Sequence, residues 1–390
     1  MNAPLPADWD LVKLEDICSI TMGQSPVSNS YNFNRVGLPL IQGNADISNG
    51  VTDPQRYTSA PTKIVPNGSI IMTVRAPVGE VSRASQEVCL GRGVCGINYI
   101  NNDFLYFMLK FHEKDWQKLE QGSTFTAIGG QQVKDFKIPL PPLAEQQAIV
   151  EVLESFDEHI NNLDALIAKK RDIRTGALED LMSGRVRVVG FSGEWKKVKL
   201  KNVARIIRGA SPRPIERYLT SSNTSENWIK IGDAPKNGKF IGSTTEKITI
   251  EGSRFSVKVK KGDFILSNSM SFGRPYILKI EGCIHDGWLA ISDFDKNLID
   301  DYLFYVLSIG STKEQFVSLA AGSGVKNLKK EIVNEVQIPL PPLPEQRAIA
   351  EVLSSLDEEI EVLEAERDKW QQVRAGAMGD LLSGKVRLGD

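Results

Sequence analysis

The sequence predicts a mixed α/β (α+β) protein built twice: two α/β globules in a pseudo-two-fold tandem repeat, separated by an antiparallel intramolecular coiled coil of two long helices. Three observations carry this. A segment recurs without a gap at an offset of 200 residues, that segment has heptad-spaced apolar residues, and the rest alternates short apolar runs with Gly, Pro and Asn.

The repeat is the firmest element. Ile138-Pro139-Leu140-Pro141-Pro142-Leu143 returns as Ile338-Pro339-Leu340-Pro341-Pro342-Leu343, and from Ile138 to Arg187, 29 of 50 positions are identical to their partners 200 residues on. Chance does not give that, so the chain is a tandem duplication. The regions before each copy correspond more loosely, with a drifting offset. Trp9 and Val12-Lys13-Leu14 match Trp195 and Val198-Lys199-Leu200, and Gly23 with Ser25-Pro26 matches Gly209 with Ser211-Pro212. Gly68, Gly79, Cys89 and Gly93 then match Gly262, Gly273, Cys283 and Gly287. Each half is a variable region followed by a near-constant one.

In the constant segments Ile149, Leu153, Phe156, Ile160, Leu163 and Ile167 alternate spacings of four and three, which is the a/d seam of a coiled coil. Ile349, Leu353, Leu356, Ile360 and Leu363 repeat it, Arg367 interrupts it and Trp370 resumes it. Pro344 suits the start of a helix, and Gly184 and Gly384 stand where each helix should stop. A helix of about 38 residues is roughly 57 Å long. Alone it would expose its seam to water, and the matching seam is the obvious partner.

Ser69–Val74 and Asp263–Leu266 read as strands, and Asp103–Lys118 and Asp301–Leu319 as helices. The domains expected are therefore 1–143 (first globule), 144–184 (first helix), 185–343 (second globule with a basic entry) and 344–390 (second helix and tail).

Composition narrows the function. With 41% hydrophobic residues in 390, the chain can bury more than one core. The first ten residues lack the pattern of a secretion signal and no apolar run approaches a membrane span, so a soluble, cytoplasmic protein is expected. Cys18, Cys89, Cys95 and Cys283 have neither disulfide-framework nor zinc-pair spacing. The net charge of -2 is segregated. Residues 144–182 hold nine acidic and four basic side chains, and residues 344–382 hold ten and four, so the rest of the chain carries +9. The densest stretch, Arg185 to Arg217, sets ten Lys or Arg against Glu194 and Glu216, a pattern suited to phosphate contact.

Enzymatic motifs are missing. Gly91-Arg92-Gly93-Val94-Cys95-Gly96 matches a dinucleotide-binding pattern in letters, but strand-like Ile97-Asn98-Tyr99-Ile100 follows it where a helix is required. There is no phosphate-binding loop of the Walker type and no Asn/Asp-Pro-Pro-aromatic tetrapeptide. His112, His159 and His285 share no motif, so no metal site or acid–base pair is expected, and Asp157-Glu158 with Asp357-Glu358-Glu359 read as helix surface.

A variable domain, a Pro-Leu-Pro-Pro-Leu entry, a Glu-Gln-Xaa-Ala-Ile helix start (Glu145, Glu345) and a long acidic helix, all present twice, resemble the specificity subunits of type I restriction-modification enzymes. The resemblance spans the whole chain and is most specific at Pro139–Gln146, Pro339–Gln346 and the Gly-Xaa-Val-Arg exits at Gly184 and Gly384. It implies two target recognition domains, each reading half of a bipartite site in double-stranded DNA. It also implies constant helices that hold two modification (methyltransferase) subunits, with restriction (motor and nuclease) subunits joining that core. The chain itself would be non-catalytic and bind no cofactor, the S-adenosylmethionine for adenine methylation belonging to its partners. The a/d seams would form the docking platform. Because the two variable domains differ, an asymmetric target is expected. The rival reading is a coiled-coil scaffold with two protein-binding globules, against which the +9 outside the helices argues; a self-sufficient methyltransferase lacks its motifs.

Base readers must be polar side chains able to make paired hydrogen bonds from turns or exposed strands. The first domain offers Gln24, Asn44, Arg75, Arg92, Gln131 and Gln132; the second offers Arg208, Arg213, Lys230, Asn268, Arg274 and Lys326. Lys196, Lys197, Lys199 and Lys201 suit phosphate anchoring, since a run of lysines makes diffuse charge.

Overall fold

The computed structural model describes residues 5–121, 127–235, 238–268, 273–321 and 328–388. It divides into two compact units, one formed by Met1–Asp164 with Ala365–Asp390, the other by Ala165–Glu364. The division falls inside both long helices, Leu143–Ser183 and Leu343–Leu382, so each unit contains a stretch of each.

Among the described residues, unit 1 has a mixed sheet in the order Ser19–Met22, Val94–Asn98, Ile70–Thr73, Val81–Arg83, Val51–Thr52, Ile47–Ser48. A second sheet runs Tyr31–Asn32, Arg56–Thr58, Leu38–Ile41, Val88–Leu90, Ile64–Val65. Unit 2 repeats the plan. Its first sheet is ordered Arg205–Arg208, Trp288–Ser292, Phe264–Ser267, Pro275–Leu278, Phe240–Ile241, and its second is centred on Glu226–Ile229 paired in parallel with Gly282–Ile284. The central strands, Ile70–Thr73 and Phe264–Ser267, are buried on both faces, which is why they read as unbroken apolar runs rather than as alternation.

The expected single helices Asp103–Lys118 and Asp301–Leu319 are each two. Asn102–Phe111 gives way at His112 (φ -90°, ψ 10°) to Glu113–Gln121, and Asp300–Ser308 gives way at Ile309 (φ -70°, ψ 154°) to Gly310–Ala321. Tertiary contacts fix both breaks. The buried His112 ring packs edge-on against Phe111 and Phe136 while its Nδ1 meets Asp115 at 2.9 Å. At the second break the Gly310 amide donates to Glu179 and the Thr312 hydroxyl to the Val306 carbonyl.

The antiparallel helix pairing is present within each unit. In unit 1, Arg374 bonds Asp157, Arg367 reaches Asp164 at 3.5 Å, and Phe156 lies 5.9 Å from the Trp370 ring. In unit 2, Arg174 bonds Asp357 at 2.8 Å and Lys170 bonds Glu359 at 2.6 Å. As the number rises along one helix it falls along the other. The seam residues Ile149, Leu153, Ile160, Leu163, Ile349, Leu353 and Ile360 are buried, while Phe156, Leu356 and Leu363 are partly so. Ile149 and Leu153 join the same core as Phe104, Phe107 and Trp116; Ile349 and Leu353 join that of Tyr302 and Tyr305. The first two seam positions of each helix thus also hold that helix to its globule.

The repeated motif has a physical account. Lys137–Leu140 pairs antiparallel with Asp10–Lys13, and Gln337–Leu340 with Lys196–Lys199. The prolines then turn the chain into the helix, and Gln146 and Gln346 donate to the Pro141 and Pro341 carbonyls at 2.9 and 2.8 Å. Buried Glu145 accepts from the Trp9 indole at 2.9 Å and from the Arg387 guanidinium at 2.6 and 2.8 Å. Glu345 accepts in the same way from Trp195 (3.0 Å) and Arg187 (2.6 and 2.8 Å). The Gly-Xaa-Val-Arg exit therefore brings an arginine back to the start of the other helix of its own unit. Gly184 and Gly384, both at φ +72°, stop the helices in the left-handed conformation that the Trp-Arg-Glu clasp needs.

Candidate nucleic-acid interface

In unit 1 a cluster of loops gathers where the two sheets meet. The Gln24 amide donates to the Leu90 carbonyl, that of Gly91 to Ile41, that of Val74 to Gly93 and that of Ile128 to Val74. Gly23 must lack a side chain, since a Cβ would stand 2.0 Å from the Gly91 carbonyl oxygen. The sequence candidates Gln24, Asn44, Arg75 and Arg92 lie on these loops, all exposed. Gln131 and Gln132, also exposed, lie on the short helix that follows Ile128; Gln132 caps it by accepting from the Gly129 amide, and Gln131 donates to Asp135 at 2.9 Å. Gly91-Arg92-Gly93 is the turn between strands Val88–Leu90 and Val94–Asn98, and a Cβ on Gly93 would stand 2.0 Å from the Gln42 carbonyl oxygen. The chain therefore folds there as a strand-to-strand turn.

Unit 2 builds the same cluster. A Cβ on Gly209 would stand 2.2 Å from the His285 carbonyl oxygen, the Ala210 amide donates to Ile284 and the Asn268 amide to Gly287. The Ser25 Oγ accepts from the Arg92 amide at 3.3 Å, and the Ser211 Oγ from the Asp286 amide at 3.2 Å. Arg92 and Asp286 therefore occupy one structural position with opposite charge.

Around Asp286 lies a cleft of about 690 Å³, lined among others by Arg213, Trp228, Lys230, Glu246 and His285. The Ser211 hydroxyl donates to Asp286 Oδ1 at 2.9 Å and the exposed Arg213 guanidinium reaches Oδ2 at 3.2 Å. The Gly287 amide donates to His285 Nδ1 at 2.9 Å, which leaves the ring hydrogen on Nε2, 3.0 Å from Asp286 Oδ1. Partial burial works against ionisation of Asp286, but the Ser211 hydroxyl, His285 and Arg213 outweigh it and hold the carboxyl below its usual range. Lys230 bonds Glu246 across the same cleft at 2.6 Å.

The other second-domain candidates are spread out. Arg208 lines a separate cleft of about 610 Å³ with Arg205, Lys329 and Lys330. Asn268 is buried, and its amide donates to the Asp286 carbonyl at 2.7 Å, so it supports the loop. Arg274 stacks over the Tyr276 ring and borders a third cleft. Lys326 lies outside the described residues. Of the four lysines, Lys196 and Lys197 are exposed on their strand. Lys199 and Lys201 both hold Glu335 at 2.6 Å and bring its carboxyl down to about 2. Lys13 holds Asp135 at 2.6 Å in the equivalent place, so Lys199 belongs to the repeated framework.

Sequence reasoning missed Ser25, Ser211, His285, Asp286 and the Arg205–Lys329–Lys330 group. The signal was present in the recurring Gly-Xaa-Ser-Pro and in the exchange of Gly91-Arg92-Gly93 for His285-Asp286-Gly287. Among the described residues no cluster could hold a metal ion, and no helix is long and apolar enough to cross a membrane.

Two isostructural loop clusters with different side chains, each on its own α/β unit, define a duplicated recognition protein. Residues 6–169 and 192–369 each match the type I restriction modification DNA specificity domain, and the chain belongs to that family. It is 24% identical to the type I restriction enzyme MjaVIII specificity subunit of Methanocaldococcus jannaschii, over 98% of this chain and 94% of the relative. It is 36% identical to the putative MjaX specificity subunit of the same organism over 190 residues, a match covering 47% of this chain and 45% of that one. The fold is that of the type I system S subunit from M. genitalium, with a TM-score of 0.60 and 17% identity over 98% of this chain and 97% of the other.

Proposed function

We propose that this chain reads an asymmetric bipartite sequence in double-stranded DNA, one half with each unit, and has no catalytic site of its own. The observation that carries this reading is the occupation of one loop position by Arg92 in unit 1 and by Asp286 in unit 2. Equal scaffolds with unequal polar tips discriminate two different short sequences, whereas a homodimer presents the same tips twice and reads a palindrome. In this reading two modification subunits, which bind S-adenosylmethionine, methylate adenine where the chain directs them, and restriction subunits add cleavage. The paired helices serve as the docking platform, with their seams largely buried and holding the pair together.

The test is methylome sequencing of the host with and without this gene. A single two-part, non-palindromic methylated motif should disappear with the gene, and survival of every motif would defeat the proposal. The purified chain alone should neither methylate DNA nor hydrolyse ATP, and robust methyl transfer by it would refute the non-catalytic assignment.

A further inference from the structure

We infer that Asp286 and Arg213 together read one C·G base pair of the half-site assigned to unit 2, Asp286 accepting from the cytosine amine and Arg213 donating to the paired guanine. The inference rests on the reading above, that the loop clusters face DNA. In the major groove cytosine offers a donor, its N4 amine, while guanine offers two acceptors, N7 and O6. A carboxylate beside a guanidinium presents the complementary acceptor and donors. Most surface carboxylates would be a poor choice near phosphates, but Asp286 is fixed from three sides.

The Ser211 hydroxyl donates to Oδ1 at 2.9 Å, and the His285 Nε2 lies 3.0 Å from the same oxygen. Among the described residues Oδ2 meets only Arg213, at 3.2 Å, and the Arg213 side chain is 81% exposed, so its remaining donors face solvent. The carboxylate is therefore pre-oriented with Oδ2 beside an exposed donor, which lowers the ordering cost of its contact with a base. The His285 ring cannot swing away without losing the Gly287 amide at its Nδ1. Unit 1 has Val27 and Arg92 at the matching positions, which removes the acceptor and moves the guanidinium to the loop tip. The same position there suits guanine and excludes the cytosine contact.

The experiment is methylome sequencing of cells expressing the full chain with its modification subunits, as wild type, Asp286→Asn, Arg213→Gln and Arg92→Gln. Asp286→Asn keeps the shape but adds a donor facing the cytosine amine; Arg213→Gln alters an exposed side chain whose loss leaves the fold intact. Each should relax the same single C·G position in one half of the motif, with discrimination falling about tenfold to a hundredfold. The other half should stay unchanged, while Arg92→Gln should relax only that other half. An unaltered motif in the Arg213→Gln strain, relaxation at an A·T position, or loosening of both halves together would overturn the assignment. If no motif depends on the wild-type gene, it is the DNA-reading proposal that fails.

Discussion

Glu145 and Arg387 are 242 positions apart, yet they close unit 1 with Trp9 as the third member. Burial disfavours the Glu145 charge, but Arg387 and then Trp9 outweigh it and hold the carboxyl below the ordinary value of 4.5. A depressed carboxylate contributes fully above its unfolded value and loses that contribution as pH falls through the folded one. Glu145→Gln should therefore cost about 1–3 kcal/mol near neutral pH, with the deficit shrinking below about pH 4. Urea unfolding at both pH values measures this, and an undiminished gap in acid would argue that shape, not charge, holds the clasp. The Glu-Gln start was legible as a signature, but its chemistry was not, because a contact across 242 residues leaves no local periodicity. The same limit hid Asp286, whose role depends on Ser211 and His285, whereas Asn268, a correct polar letter, proved to be buried.

The long helices were the most readable elements, since a seam of Ile and Leu at spacings of three and four has few other solutions. Gly184 and Gly384 marked their ends because only glycine adopts φ +72° without strain. The broken helices at His112 and Ile309 were not readable: both neighbouring segments keep helical spacing, and the interruptions come from Phe136 and Glu179, distant in sequence. Phe156 tests the pairing. It is partly buried beside Trp370 and on the margin of the unit 1 core, so Phe156→Glu places a charge against an indole and apolar neighbours. A loss of about 2–4 kcal/mol is expected from the forfeited packing and the buried charge, and co-purification of the modification subunits should fall with it. Leu356→Glu should act likewise in unit 2. Wild-type thermal unfolding in either variant would show that the seam contributes little.

Across the whole chain, charge separates more sharply than the net value suggests. Residues 1–143 hold 12 basic and 13 acidic side chains, whereas residues 185–343 hold 25 and 16, so the positive excess outside the helices sits in the second globule. The structure sorts that excess by availability. Lys199 and Lys201 are spent on Glu335, and Lys230 on Glu246. Lys196 and Lys197 project from a strand whose unit 1 counterpart carries Asp10 and Leu11, and Lys329 and Lys330 line the Arg208 cleft where unit 1 has Gly129 and Gly130. Each lysine that touches a phosphate on binding releases counterions and adds about 0.9 to the slope of log affinity against log salt. Replacing Lys196, Lys197, Lys329 and Lys330 with Gln should therefore flatten the slope of the assembled complex, by up to about 3.6 if all four meet phosphate. Replacing Lys199 and Lys201 with Gln should leave the slope nearly unchanged and instead lower the stability of unit 2 near neutral pH, a deficit that shrinks as pH falls below about 4.5, since Glu335 loses the partners that depress its carboxyl. Fluorescence anisotropy over a salt series separates the two outcomes. Equal flattening by both sets would mean that the Glu335 pairs open on DNA and that ion pairing in the free chain does not select the phosphate anchors.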